Sequence, residues 1–343
     1  MKSSFKIILF KSASVLIGCL VAIVICELLL RIYNPLPARI RGNEIRIIAN
    51  YERIIKLEVS NHDLDSFIHY STNSIGFRGA ERPELDDEYY EIFTVGGSTT
   101  ECALLDDEKT WSAILARTLP QCKSKLWINN AGIGGCSTYG HLMLLDEHVL
   151  AMKPDMILFL VGANDLLKGH YNIKDEFLQT GLRYKKMKLM AKSELFSLLL
   201  NLYRSQFATR ARVNHNFNQQ PIKELSDETL KARLQLHKNN QDAYANRLKM
   251  IITLCQQNNI LPVLITQPIY IRSKYDICHE IDIYNVTTLQ TAKESSIPSI
   301  DLADQLENKP EYYYDNMHFT NQGAEAVARL LHAHLCDSIF NHD

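Results

Sequence analysis

From Ser12 to Leu30 apolar residues run almost without a break, and Glu27 is the one charge inside the run. About 20 apolar residues suffice to cross a bilayer core, so the pattern predicts one N-terminal transmembrane helix rather than a buried core helix. Glu27 lies near one end and precedes Arg31 by four residues, a spacing that pairs opposite charges on a helix. Lys11 can snorkel from the other end. Pro35 and Pro37 then break the chain. Residues 36–90 read as a linker that becomes an N-terminal embellishment, with a turn-rich segment Asn73-Ser74-Ile75-Gly76-Phe77-Arg78-Gly79 and an acidic surface run from Glu84 to Glu91.

Beyond residue 90 short apolar runs alternate with helical spacing. Strands are predicted at Ile92 to Val95, Leu126 to Ile128, Met156 to Val161, Leu261 to Thr266 and Ser299 to Asp301. Helices are predicted from Glu101 to Leu119, Tyr139 to Met152, Asp242 to Gln257, Ile281 to Ser295 and Asn321 to Phe340. The Met156 run is apolar throughout, as in a strand buried on both faces. This alternation implies an α/β fold, three-layer α/β/α with a central parallel sheet. Ligands bind such sheets beyond the C-terminal ends of the strands. The chain therefore divides into residues 1–35 (a cytoplasmic tail and transmembrane anchor), 36–90, and a 91–343 domain with a helical insertion at about 168–241. The insertion is basic at Lys185, Lys186, Lys188 and Lys192 and carries an apolar stripe at Leu195, Leu198, Leu199, Leu202 and Tyr203. Such a stripe is packed core, a lid over the site, or a surface resting on anionic lipid.

Composition adds little: 46% hydrophobic and 22% charged residues are ordinary for a globular chain. A net charge of −2 gives no reason to expect a nucleic-acid partner. No small-x-small site follows the apolar run, which favours an uncleaved anchor over a removed signal peptide. Leu16-Ile17-Gly18-Cys19 is similar to a lipoprotein cleavage box but lies inside the run. Lys2, Lys6 and Lys11 precede the span and Arg31, Arg39, Arg41 and Arg46 follow it, so the positive-inside rule is nearly silent. A short basic tail before a long domain reads as a signal anchor with the tail inside. The expected placement is single-pass membrane, with the catalytic domain extracytoplasmic (periplasmic). Cys19 and Cys26 lie in the span. The remaining six cysteines show no Cys-x-x-Cys spacing; six can pair in 15 ways among which sequence does not choose, and unpaired buried thiols are the plainer reading.

Four loop segments carry the chemistry. Gly96-Gly97-Ser98-Thr99 follows a strand and precedes a helix, whose free N–H groups and dipole favour a developing oxyanion. An N-cap is the plainer role for such a serine. Asn130-Ala131-Gly132-Ile133-Gly134-Gly135 lets backbone approach a substrate closely, with Gly135 the candidate donor, or is a simple turn. Asn164, in Gly162-Ala163-Asn164-Asp165, offers an amide that donates without titrating, or a turn former. Asp315 and His318 supply an orienting acid and a general base for a serine hydroxyl, unless Asp315 or Thr320 only caps the next helix.

In order and content these segments resemble the SGNH hydrolases, the superfamily of GDSL lipases and esterases named for Ser, Gly, Asn and His in four blocks. Ser98, Gly135, Asn164 and Asp315-x-x-His318 match those blocks, and Asn73 to Arg78 looks like a segment found upstream in membrane-anchored bacterial members. The resemblance covers about residues 70–165 and 240–335. It implies a flavodoxin-like fold and a serine esterase needing no metal or cofactor. Ser98, Asp315 and His318 would be catalytic, and Ser98, Gly135 and Asn164 would form the oxyanion hole. Its partner would be an ester substrate, an acylated carbohydrate or lipid. One departure stands out: Gly97 occupies the place of the usual Asp before the serine. The same site would also suit an O-acetyltransferase of cell-surface glycans, and a degenerate site would leave a binding protein.

Overall fold

The computed structural model describes residues 2–33, 40–41, 44–57, 63–84, 89–169, 192–200, 202, 226–270 and 280–340. They group into two compact units. One comprises residues 1–46 and 174–214, the other residues 47–173 and 215–343.

In the first unit α1 (Lys2–Ile32) contains a 23-residue stretch, Phe10–Ile32, long and apolar enough to cross a membrane. Its Val15, Leu16 and Ile17 side chains are all exposed. A two-residue ladder, β1 (Ile40–Arg41) with β2 (Glu44–Ile45), follows. The unit also holds a short helix at residues 194–200, labelled α6 below. Lys185, Lys186, Lys188 and Tyr203 of the predicted insertion lie outside the described residues.

The second unit opens with an antiparallel hairpin, β3 (Glu52–Lys56) with β4 (Phe67–Ser71). The α/β body follows as β5 (Tyr90–Gly96), α2 (Ser98–Glu101), α3 (Trp111–Thr118), β6 (Leu126–Asn130), α4 (Thr138–Leu144), β7 (Met156–Leu160) and α5 (Ala163–Gly169). It continues with α7 (Asp227–Gln257), β8 (Leu261–Ile265), α8 (Ile281–Glu294), β9 (Ser299–Ile300), α9 (Leu302–Gln305) and α10 (Asn321–Ser338). The five strands pair in the order β6-β5-β7-β8-β9, all parallel. Counted along the chain this is 2-1-3-4-5, the flavodoxin-like order. Every residue of β7 is buried, as its unbroken apolar run requires. The helix α10 buries Ala324, Val327, Ala328, Leu331 and Leu335, one face at helical spacing, beside α3. On the other side of the sheet α7 buries Tyr244, Leu248, Ile251, Ile252 and Cys255. The chain thus forms a three-layer α/β/α fold, with the reversal of strand order between β5 and β7 setting the crevice where ligands bind.

Two expectations need correction, and one question left open by the sequence is answered. The helix predicted from Glu101 to Leu119 is broken: α2 ends at Glu101, Cys102 takes a left-handed conformation (φ 51°, ψ 47°), and α3 starts only at Trp111 under a Thr110 cap. The cause is Arg78, buried at 2% exposure, whose guanidinium donates to the carbonyls of Glu101, Cys102 and Leu105. Those carbonyls would otherwise need a continuing helix. The helix predicted from Asp242 begins at Asp227, where Ser226 accepts a hydrogen bond from the Thr229 N–H. Finally, the cysteines are not all unpaired. Cys122 and Cys336 form a disulfide with Cα atoms 5.6 Å apart, because the turn after α3 meets the end of α10. Cys102, Cys136 and Cys255 are buried and lie outside that disulfide. Cys278 lies outside the described residues.

Candidate active site

Three of the four segments leave the C-terminal ends of neighbouring strands: Ser98 after β5, Gly132 to Gly135 after β6, Asn164 after β7. The fourth, Asp315 to His318, precedes α10. Its Thr320 accepts a hydrogen bond from the Gly323 N–H and so caps that helix, which leaves Asp315 to His318.

Ser98 is the first residue of α2, and Gly97, not the serine, is the N-cap. The Ser98 hydroxyl lies 2.7 Å from His318 Nε2, and His318 Nδ1 lies 2.6 Å from Asp315 Oδ2. A carboxylate only accepts, so the Nδ1–H donates to Asp315 and Nε2 is the acceptor that faces the Ser98 O–H. Asp315 Oδ1 also accepts from the Met317 and His318 N–H groups, each at 2.8 Å. Burial pushes the Asp315 pKa up, but the His318 charge and these hydrogen bonds outweigh it and hold it below the ordinary carboxylate value. The Tyr314 ring stacks on the His318 imidazole, centroids 5.4 Å apart and planes 9° apart. Asp315 therefore fixes the imidazole in its plane by one edge and Tyr314 by one face.

The other two blocks come alongside. Gly135 is exposed and has φ +75°, a conformation that favours glycine, and a Cβ there would meet nothing within 4 Å. A Cβ at Gly134 would lie 3.9 Å from the Ser98 Cβ, so this loop borders the serine. Asn164 Nδ2 donates to the Cys136 carbonyl at 2.9 Å, which uses one of its two hydrogens. The departure at Gly97 has a geometric reason: a Cβ there would sit 2.2 Å from Asn164 Nδ2. A side chain at position 97 and the observed Asn164 amide exclude each other.

Several residues hold these parts in place without any motif announcing them. Glu101, one turn after Ser98, accepts from the Gly134 N–H at 2.7 Å and from the Tyr70 hydroxyl at 2.9 Å. It thereby ties the glycine loop to the helix that begins at Ser98. Asp165, buried, accepts from the Thr138 N–H at 3.0 Å and its hydroxyl at 2.6 Å, and pairs with Arg247 at 3.2 Å. That joins the Asn164 turn to the start of α4. The signal for Asp165 was its place directly after Asn164. That for Arg78 was its place in the Asn73 to Arg78 segment, and Glu101 had none.

A small recess beside Ser98 and His318 is walled by Cys102, Leu104, Leu105, Tyr314 and Phe319. Burial pushes the Cys102 thiol up to about 12, so it stays protonated and unreactive next to the serine. Among the described residues, Cys122, His332 and Cys336 are grouped closely enough to hold a metal ion. Their two sulfurs are joined as a disulfide and offer no thiolate.

The family model of the GDSL-like lipase/acylhydrolase family matches residues 94–326. Solved structures similar to the chain include the acetyl xylan esterase AlAXEase, 15% identical, with a TM-score of 0.45 over 71% of this chain and 98% of that one. The acetylxylan esterase Axe2 from Geobacillus stearothermophilus is 16% identical, with a TM-score of 0.45 over 71% of this chain and 92% of that one. A putative lipolytic protein of the G-D-S-L family from Desulfitobacterium hafniense DCB-2 is 14% identical, with a TM-score of 0.44 over 71% and 98%. No curated protein matches the chain. With more than half of its 343 residues inside the family match, the chain belongs to the GDSL-like lipase/acylhydrolase family of SGNH hydrolases and is an enzyme that hydrolyses carboxylic esters.

Proposed function

We propose that the chain is a membrane-anchored serine esterase in which Ser98, His318 and Asp315 form the catalytic triad. The observation that carries this reading is the continuous hydrogen-bonded line from Asp315 through His318 to Ser98. As Ser98 Oγ bonds to the ester carbonyl carbon, its proton passes to His318 Nε2 and the carbonyl oxygen becomes an oxyanion. Asp315 stabilises the imidazolium without taking its proton. The Ser98 and Gly135 N–H groups and the Asn164 amide receive the oxyanion. The tetrahedral intermediate collapses, the C–O bond to the alcohol breaks, and His318 gives its proton to the departing alkoxide. Water then attacks the acyl-enzyme with its proton passing to His318, and the acid leaves as that proton returns to Ser98.

The substrate class is proposed from placement. The apolar helix α1 supports a single-pass anchor. The Cys122–Cys336 disulfide supports an oxidising compartment, hence a catalytic unit outside the cytoplasm. The substrate so placed is an acyl ester of a carbohydrate or lipid. The test is the intact mass of the detergent-solubilised full chain after a fluorophosphonate probe, beside Ser98→Ala. The expected result is one adduct on the wild type and none on the variant. A folded wild type that takes no adduct would leave a binding protein on this fold. Products formed with an added acceptor sugar separate hydrolysis from acyl transfer.

A further inference from the structure

The apolar run of α1 contains one carboxylate, and that carboxylate is heavily used. Glu27 accepts from the Ser193 hydroxyl at 2.7 Å, from the Glu194 N–H at 3.0 Å and from the Leu195 N–H at 3.1 Å. Arg31 donates to it at 2.9 Å and reaches on to the Lys192 carbonyl at 3.0 Å. Residues far apart in sequence thus bring the first turn of α6 onto the end of the apolar stretch, five residues before Ile32. A rise of about 1.5 Å per residue puts Glu27 within about 8 Å of the end of that stretch.

The helix so held is inside out for a surface in water. Its polar Glu194 and Ser197 are buried, at 8% and 4% exposure, whereas Leu199 and Leu202 are 57% and 45% exposed. Leu195, Leu199 and Leu202 stand at i, i+4 and i+7, one face of the helix. At the start of this helix lie the exposed Lys192 and the half-exposed Arg31, and the half-exposed Arg46 is 3.8 Å from Glu194. An apolar face on a helix whose cationic first turn is held at the end of a membrane span matches the headgroup and upper acyl region of an anionic bilayer.

We propose that α6, together with Leu202, forms a second membrane-contacting element, an interfacial helix clamped to the anchor by Glu27, with Leu199 and Leu202 in lipid. The proposal rests on α1 being a membrane anchor. It gives a use to a charge that the span would otherwise carry at a cost.

The test uses tryptophan emission of the full chain in nanodiscs of mixed phosphatidylcholine and phosphatidylglycerol, with and without lipid brominated near the glycerol end of the acyl chains. The two native tryptophans, Trp111 and Trp127, are both buried. Three variants each add a reporter: Leu199→Trp, Leu16→Trp within the span, and Val286→Trp on an exposed site of the catalytic unit. The expected result is strong loss of the added emission for Leu199→Trp and Leu16→Trp, and none for Val286→Trp. Quenching at Leu16→Trp without quenching at Leu199→Trp overturns the interfacial helix while leaving the anchor. Absence of quenching at both overturns the anchor and the proposal with it. Adding Glu27→Leu should abolish the loss at Leu199→Trp and spare that at Leu16→Trp. An unchanged loss at both would show that Glu27 is not the clamp.

Discussion

Gly97→Ala adds one methyl group and tests the oxyanion scheme sharply. The backbone at Gly97 has φ −87° and ψ −149°, outside the left-handed region that favours glycine. Its Cβ would lie 3.5 Å from the Cys136 carbonyl, an ordinary contact, but 2.2 Å from Asn164 Nδ2. To restore a contact of 3.4 Å the amide must retreat by about 1.2 Å. The amide is the far end of a side chain, so it can move, and the fold should survive with little change in Tm. Moving it also breaks its 2.9 Å bond to Cys136, which aims it. Oxyanion donors act at about 2.7–3.1 Å, and losing one costs roughly 10²–10³ in kcat, or about 2.7–4 kcal/mol. Gly97→Ala should therefore lose nearly as much kcat as Asn164→Ala, with KM changing far less. The assay is hydrolysis of p-nitrophenyl acetate by wild type, both single variants and the double variant. Because both changes remove the same donor, the double variant should be no worse than Asn164→Ala. Wild-type turnover in Gly97→Ala, or losses that multiply in the double variant, would refute the reasoning.

Four further outcomes follow from the geometry. Asp315→Asn should lower kcat by about 10⁴, since an amide in place of the carboxylate favours the wrong imidazole tautomer; steady-state kinetics decide it. The folded Asp315 pKa lies below its unfolded value of about 3.9, so its stabilisation is complete above that value and is lost as pH falls through the folded pKa. The Tm difference between wild type and Asp315→Asn should hold from neutrality to about pH 4 and shrink below it, and a difference that grew on acidification would reverse the sign. Replacing Cys122 and Cys336 by Ser frees a loop of 214 residues, for which the chain-entropy relation gives about 5 kcal/mol and removal of native bridges typically about 2–5; the urea midpoint should fall accordingly. Arg78→Met leaves the Glu101, Cys102 and Leu105 carbonyls without their donor and Asp107 without its partner, at a cost of about 3–5 kcal/mol; an unchanged Tm would show that water replaces the guanidinium.

The sheet was legible because its strands are short apolar runs separated by helical spacing, and β7 shows this most plainly. The four segments were legible because each joins chemistry-bearing residues to glycines at a strand end or before a helix. The break after Glu101 was not. Leu104, Trp111, Ile114, Leu115 and Leu119 keep an apolar rhythm across it, and the interruption is imposed by Arg78, from the segment upstream of the sheet. A side chain that serves carbonyls leaves no mark on their sequence, since every residue has one. The disulfide was hidden for a related reason: Cys122 and Cys336 become neighbours only when α3 packs beside α10.

Gly97 shows where reading one position at a time misleads. In the sequence it looks like the loss of a polar group that would order the nucleophile turn. In the folded chain the space of that side chain belongs to the Asn164 amide. The ordering comes instead from Glu101, which receives the Gly134 N–H, and from Tyr70, which donates to the same carboxylate. Tyr70 in turn lies under the Arg78 guanidinium, 4.4 Å from ring centroid to charge. The residues upstream of the α/β body thus reach the turn at Ser98 through two contacts, Arg78 on the carbonyl end of α2 and Tyr70 of the hairpin on Glu101. A chain cut just before β5 would keep all four segments and lose both supports, so its loss of turnover should exceed what its ester-binding residues alone would lead one to expect.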